Sequence, residues 1–549
     1  MTGHYHSGFT VDTKIMNFLR NGKILGENEQ PSEMVDRVVQ TIVNADRNYT
    51  NDNIDFEYEL GQALDARQII FSTPILTNAG RYKDRPLSAC TVPSHNLYSN
   101  NREELTQEVI KLHRQGMGTG FNLDDASDPV FLLKYLNGVA VDGVLSGKEN
   151  RPVGNMAVLS VYHPKISDFI SAKLDKNVEN WLFNLSVDVD DNFMKAVKLG
   201  QGVRLRDGRE VSAAELFGQM CNVARRTGCP GLIFLERMNN RNPAPELGEY
   251  RTTAPCAEVG LVAGEVCQFG YINVAEFVKI DGEKYQIDKE GLQRISALLT
   301  RALDNALDVS YENLISERSR DLLLKKRKIG VGLCGVADAL AIIGLPYDSQ
   351  EARDLMKDIM ALVNYSTKLQ SIKLAQERGS CLIIKDGGSS RLHGNTLEDN
   401  FGKYTSSYVA KNDWQYLDNL IINEQALRNI STTALPPTGR SSLVIGASTG
   451  IEPHFCAEQV SPKVIKCGKK IIYAKDISPI NHLAMVQALQ QFCDESISKT
   501  VNLPSNATTD EIAEIYMQAY DMGLNGVTIY VDGSRDYQPI ALTDKKEGN

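Results

Sequence analysis

The sequence predicts an α/β protein with a helical N-terminal region, and three observations carry that reading. Residues 1–70 show apolar residues at helical spacing only. From about residue 71 onward, short β-branched runs alternate with amphipathic helical segments for more than 400 residues. No solenoid-type repeat or low-complexity linker interrupts the alternation. Such alternation fits an α/β barrel or a doubly wound sheet, with helices covering the strands.

Taken in order, "TVDTKIMNFLR" and "PSEMVDRVVQTIVNADR" repeat apolar residues at three and four, and Pro31 with Ser32 marks the start of the second helix. Later, "VRLRD", "GLIFLE", "CLIIKD", "SSLVIGA" and "GVTIYVDG" read as strands. "GLQRISALLTRALDNALDVS" and "EARDLMKDIMALVNYSTKLQSIKLAQERG" read as long helices. The expected division is a helical region over 1–70, an α/β unit over 71–535 and a tail over 536–549.

Composition narrows the function. The chain has 549 residues, 42% hydrophobic and 23% charged, with net charge −10. That balance argues against a surface that coats nucleic acid, so no direct nucleic-acid binding is expected. The basic run "KKRK" (325–328) reads as a solvated helix end. No secretory pattern opens the chain, and apolar stretches such as "VADALAIIGL" are too short to span a bilayer. Ten cysteines occur without a C-x-x-C or zinc spacing, which predicts free thiols, a cytoplasmic setting and no metal site.

Chemistry concentrates in a few segments. "TTAPCAEVGL" places Cys256 two residues before Glu258, a thiol with a carboxyl beside it. "PPTGRSS" offers small residues, hydroxyls and Arg440, a composition suited to cradling an anion. "QGMGTGFNL" is glycine-rich but follows no clear strand and opens no helix, so it is not read as a dinucleotide fingerprint. Singly, each of these is a common pattern.

As an ordered set they resemble the catalytic subunit of ribonucleotide reductase over roughly residues 70–535. The resemblance rests on "STPILTNAG…LSAC", "PCAE", "VCQFGYIN" and "PPTGRSS…GASTGIEP". It rests also on "RKIGVGLCGVADAL", "ENWLFNLSVDVDDNFM" and "RTGCPGLIFLERMNNRNP". It implies a ten-stranded α/β barrel that reduces ribonucleoside di- or triphosphates to 2′-deoxyribonucleotides. Cys256 would be the thiyl cysteine, Glu258 the general base, and Cys90 with Cys267 the redox pair. Substrate contacts would come from Thr73, from the segment before Cys90 including position 89 (Ala89), from position 254 (Ala254), and from Thr438, Gly439, Arg440, Ser441 and Ser442. The remaining seven cysteines match no redox position.

The sequence has no Tyr-Tyr dipeptide and no Arg-Val-x-Gly-Tyr motif, and its ending is similar to that of the adenosylcobalamin-dependent class. The resemblance therefore implies adenosylcobalamin as cofactor. Two departures stand out. The family's asparagine two residues before the thiyl cysteine is Ala254 here, and no cysteine follows Cys493. The expected reductant is thus a thioredoxin- or glutaredoxin-like protein or a separate redox chain. No ATP-cone is expected ahead of "STPIL"; a deoxynucleotide specificity effector, at 138–156, stays compatible. Monomer and homodimer both remain open. So do two alternatives: a non-reductive radical enzyme acting on nucleotides, and a non-catalytic nucleotide-binding paralogue.

Overall fold

The computed structural model describes residues 4–50, 53–94, 102–146, 153–178, 180–282, 284–387, 396–457 and 460–534. The 536–549 tail and residues 147–152 of the effector segment lie outside the described residues.

The N-terminal helices form as the spacing predicts: Thr13–Asn21, Pro31–Asp46 and Ile54–Asp65. Asp12 caps the first by accepting from the Ile15 N–H at 2.8 Å. Pro31 opens the second, where a missing N–H costs nothing. Met34, Val35, Val38, Val39, Ile42 and Val43 bury its inner face. Helices two and three pack on the long helix Lys289–Tyr311, so this region shares a continuous apolar core with the rest of the chain.

The main sheet has eight strands, in spatial order Val266–Cys267, Cys90–Thr91, Gly118–Asn122, Asn155–Ser160, Phe183–Asp188, Gly231–Ile233, Gly526–Val531 and Thr500–Leu503. The five from Cys90–Thr91 to Gly231–Ile233 run parallel, and antiparallel neighbours flank them on both sides. A separate three-stranded sheet pairs Phe269–Asn273 antiparallel with Ile69–Phe71 and parallel with Gly330–Cys334. The fold is therefore mixed α/β, but among the described residues no single ten-stranded closed sheet is formed. Between the two sheets the chain is joined by isolated bridges, Val331 to Thr433 and Leu435 to Ile497, instead of continuous ladders.

Three local readings need correction. "SSLVIGA" lies in a helix, Gly439–Ile445, ended by Gly446 at φ 67°. "CLIIKD" holds the short helix Leu382–Lys385. Runs of four to six apolar residues do not separate strand from buried helix by periodicity. The basic run is not solvated beyond Lys325: Lys326, Arg327 and Lys328 are 1%, 3% and 3% exposed. Carboxylates supply what water would: Lys326 and Lys328 meet Glu265 at 2.7 and 3.1 Å, and Arg327 meets Asp304 at 2.8 Å. Cys493 lies beyond the helix Pro479–Gln490 and is buried.

Candidate active site

"TTAPCAEVGL" folds into a short hairpin that enters the interior. Thr252–Thr253 pairs antiparallel with Gly260–Leu261. At the tip, the Ala254 N–H donates to the Val259 carbonyl and the Ala257 N–H to the Ala254 carbonyl, both at 3.0 Å. Ala257 sits at φ 65°, a left-handed conformation costly for any residue with a Cβ, so the surroundings hold this turn.

Those surroundings explain the glycine-rich segment. A Cβ on Gly120 would stand 2.1 Å from the Thr253 carbonyl oxygen, and one on Gly118 would stand 2.8 Å from Pro255 Cγ. Just before the next strand, a Cβ on Gly154 would stand 3.2 Å from Pro255 Cβ. Asn122 Nδ2 donates to the Arg251 carbonyl at 2.7 Å, fixing the base of the hairpin. "GMGTG" is a seat for the loop carrying Cys256, which close backbone approach requires.

Glu258 is buried at the tip, and its Oε2 finds no hydrogen-bond partner among the described residues. Burial pushes its carboxyl up to about 7, tempered by the backbone N–H groups of Glu258 and Cys256. Thr253 Oγ1 is a second buried polar atom there without a partner among the described residues. The Ser496 N–H clamps the Glu258 carbonyl at 2.9 Å.

Cys90 and Cys267 are directly opposed across an antiparallel pair, both as free thiols, with Cys267 Sγ 3.6 Å from the Cys90 carbonyl oxygen. Opposed residues in such a pair have Cα atoms about 4.5–5.5 Å apart, inside the range a disulfide spans.

Sequence reasoning missed Tyr271. Along 267–271 the even residues face the helix Lys289–Tyr311: Gln268 bonds Ala306 and Ser310, and a Cβ on Gly270 would meet Leu299. The odd residues, Cys267 and Tyr271, therefore point the other way. A Cβ on Gly332 would lie 3.2 Å from both Tyr271 Cδ1 and Pro436 Cδ, so the phenol ring borders the "PPTGRSS" segment. Burial drives the hydroxyl well above its ordinary range, with Glu258, Cys90, Cys267 and Cys334 adding negative surroundings. A tyrosine in an apolar-looking run, "QFGYIN", gives no signal of this in sequence.

The expected phosphate-contacting residues gather at the start of Gly439–Ile445. Thr438 Oγ1 accepts from the Gly450 N–H at 2.6 Å, and Ser442 Oγ donates to the Thr438 carbonyl at 3.3 Å. Ser441 is buried, and Arg440 Nη1 is buried without a partner among the described residues. The helix packs on the strand Ile69–Phe71, immediately before the buried Ser72 and Thr73. Position 89 is an alanine and offers no side-chain polar atom; the serine of "LSAC" is Ser88, which accepts from Gln268 at 3.3 Å. Ala254 is fully buried.

Cys256 also walls a cavity of about 370 Å³, with Met156, Asn184, Pro255, Phe455 and Ile529 among its lining. Asn502 lines both this cavity and a second one of about 750 Å³. Among the other thiols, burial raises Cys221, Cys334, Cys381 and Cys493 well above their ordinary range, which disfavours the reactive thiolate. No cluster of three or more metal-ligating side chains, and no helix long and apolar enough to cross a membrane, occurs among the described residues.

An α/β fold that carries a thiol–carboxyl hairpin and a cysteine pair in register has a counterpart among known families. Residues 103–475 and 459–530 match the model of the ribonucleotide reductase barrel domain, so the chain belongs to that family. It is 30% identical over 583 residues to the vitamin B12-dependent ribonucleoside-diphosphate reductase of Mycobacterium tuberculosis (strain ATCC 25618 / H37Rv), covering 94% of this chain and 76% of that protein. Its likeness to the enzyme of the same name from Thermoplasma acidophilum is 29% over 541 residues, 87% of this chain and 65% of the other. A ribonucleoside-diphosphate reductase large subunit of Acanthamoeba polyphaga mimivirus is 24% identical over 538 residues, 87% and 59% respectively.

Proposed function

We propose that this chain reduces ribonucleotides to 2′-deoxyribonucleotides by thiyl-radical chemistry, with adenosylcobalamin as the radical source. The observation that carries the reading is the hairpin. It brings Cys256 and the buried Glu258 carboxyl, whose Oε2 has no partner among the described residues, into the interior where Cys90 and Cys267 stand in register.

The cavity of about 370 Å³ beside Cys256 offers a place for the cofactor's reactive adenosyl group and not for the whole corrinoid, because the sulfur-bearing residue forms part of its wall and Asn184, Asn502 and Tyr530 add polar groups to it. Bound adenosylcobalamin would supply a carbon-centred radical able to take the Cys256 hydrogen. From there this chain's residues do the work. The Cys256 thiyl abstracts the ribose 3′ hydrogen, and Glu258 accepts the 3′-hydroxyl proton. Cys90 gives a proton to the departing 2′-hydroxyl, which leaves as water. Cys90 and Cys267 supply two electrons and become a disulfide, and Cys256 returns the hydrogen to C3′. Arg440, Thr438, Ser441, Ser442 and Thr73 hold the phosphates. With Ala254 lacking a polar side chain, the Tyr271 hydroxyl is the polar group beside the reacting hydroxyls. A separate dithiol protein would re-reduce the pair.

Ten strands close into a barrel in this reading. The isolated bridges support it: they link Gly330–Cys334 to 431–435 and on toward Thr500–Leu503, while the Ala89 N–H donates to the Cys267 carbonyl at 3.0 Å on the other side.

Anaerobic incubation with adenosylcobalamin, dithiothreitol and each ribonucleotide should yield the deoxynucleotide. Cys256→Ser should abolish all substrate chemistry. Cys90→Ser and Cys267→Ser should spare exchange of a 3′ tritium label yet stop deoxynucleotide formation. Full turnover with a diiron partner and no cobalamin would refute the cofactor. Wild type that makes no deoxynucleotide, together with a Cys90/Cys267 double variant as active on nucleotides as wild type, would establish the non-reductive alternative.

A further inference from the structure

We infer that Asn184 is a positioning residue for the thiol hairpin: its carboxamide pins the peptide between Pro255 and Cys256 and thereby sets where the Cys256 sulfur points. The inference rests on the role of Cys256 proposed above.

Asn184 lies on Phe183–Asp188, the strand next to Asn155–Ser160. Its Nδ2 donates to the Pro255 carbonyl oxygen at 2.9 Å. That carbonyl belongs to the peptide unit whose other half is the Cys256 nitrogen, so the bond fixes the plane from which the Cys256 side chain departs. The other constraints on this proline are steric. Gly118 and Gly154 give it room, and neither holds it by a directional bond. Past Cys256, Ala257 stands in a left-handed conformation that must be held from outside, and the clamp from Ser496 acts on Glu258, one residue further. Asn184 is thus a directional tie from outside the hairpin on the cysteine side of the tip, as Ser496 is on the glutamate side, beside the tip's own backbone bonds at Ala254 and Ala257. Asn184 and Cys256 also line the same cavity. A residue that fixes a reacting atom to within a fraction of an ångström matters far more for rate than for binding.

The test compares Asn184→Ala and Asn184→Asp with wild type, each as the full chain. Turnover is measured with adenosylcobalamin, and the alkylation rates of Cys256 and Cys90 by iodoacetamide are read by peptide mapping without cofactor. Asn184→Ala should lower kcat by on the order of 10- to 100-fold with KM little changed. It should also shift the Cys256 alkylation rate while leaving Cys90 as it was. In Asn184→Asp the carboxylate cannot donate, so that variant should be as impaired as Asn184→Ala near neutral pH. Its deficit relative to wild type should shrink as the pH falls and the new carboxyl acquires a proton to give to Pro255. A filler of the same shape would show no such acid-side recovery. Unchanged kcat and unchanged Cys256 alkylation in both variants would overturn the inference. A shifted alkylation rate with unchanged turnover would leave the pin standing and refute the role assigned to Cys256. If neither variant folds, as judged by circular dichroism, Asn184→Ser serves: a shorter donor should give intermediate alkylation, and a rate equal to wild type would count against the pin.

Discussion

At the scale of single residues, the candidate site holds buried polar atoms with no partner among the described residues: Thr253 Oγ1, Glu258 Oε2 and Arg440 Nη1. Glu258 is the clearest case. Burial raises its carboxyl to about 7, so near neutrality it is poised between proton acceptor and neutral acid. As a base it works only when ionised, so kcat/KM should rise with pH through about 7. Glu258→Gln should remove that limb together with most of the rate. Stability should move the other way. A carboxyl whose folded value lies above its unfolded one favours the fold most at low pH. That advantage is lost as pH climbs from the ordinary value of about 4.5 to about 7. The melting temperature of Glu258→Gln relative to wild type should therefore increase across that window and level off above it. A constant difference from pH 5 to pH 8 would show that the carboxyl is not held neutral by burial. Tyr271 gives a second test. If its hydroxyl substitutes for the polar side chain that Ala254 lacks, Tyr271→Phe should cut kcat/KM by roughly tenfold without changing the product. Adding Ala254→Asn to Tyr271→Phe should then restore part of the loss. Additive effects of the two changes would separate Tyr271 from the hydroxyl chemistry.

At the scale of elements, what could be read from the sequence depended on whether the signal was local. The N-terminal helices carry their own caps and periodicity, and they appear where the spacing puts them. The strands Gly231–Ile233 and Gly526–Val531 were legible from β-branched runs between turn residues. "SSLVIGA" and "CLIIKD" were not, because a short apolar run has the same composition in a buried helix as in a strand. Cys90, Cys256, Glu258 and Cys267 were picked out through ordered motifs; their register came only with the fold. The glycines of "GMGTG" were visible as glycines, but the purpose of two of them, Gly118 and Gly120, lies in a hairpin more than 130 residues away. No local pattern states that a second backbone will pass within van der Waals distance. The same holds for Asn184 and Tyr271, ordinary strand residues whose partners are distant in sequence.

At the scale of the whole molecule, the misread basic run identifies what ties the N-terminal helices to the α/β core. Arg327, Arg378, Arg428 and Arg301 converge on two fully buried carboxylates, Asp304 and Asp46. Asp46 ends the second N-terminal helix, Asp304 sits mid-way along Lys289–Tyr311, and Arg378 bonds both. Burial alone would raise the Asp304 carboxyl, but Arg327 and Arg428, with Arg378, hold it well below the usual range. A depressed carboxyl contributes stability above its unfolded value and loses it as pH falls toward the folded one, so acid should weaken this junction. Asp304→Asn keeps the shape, removes the charge and leaves three guanidinium groups short of a counterion in a water-free interior. Breaking a buried pair in this way typically costs about 3–5 kcal/mol. Denaturant unfolding at neutral pH should show a loss of that order, and the gap to wild type should narrow as the pH is lowered. Hydrogen exchange should localise the loosening to Pro31–Asp46 and Lys289–Tyr311. A variant as stable as wild type, or one whose loosening falls elsewhere, would mean that apolar packing alone holds the N-terminal helices to the core.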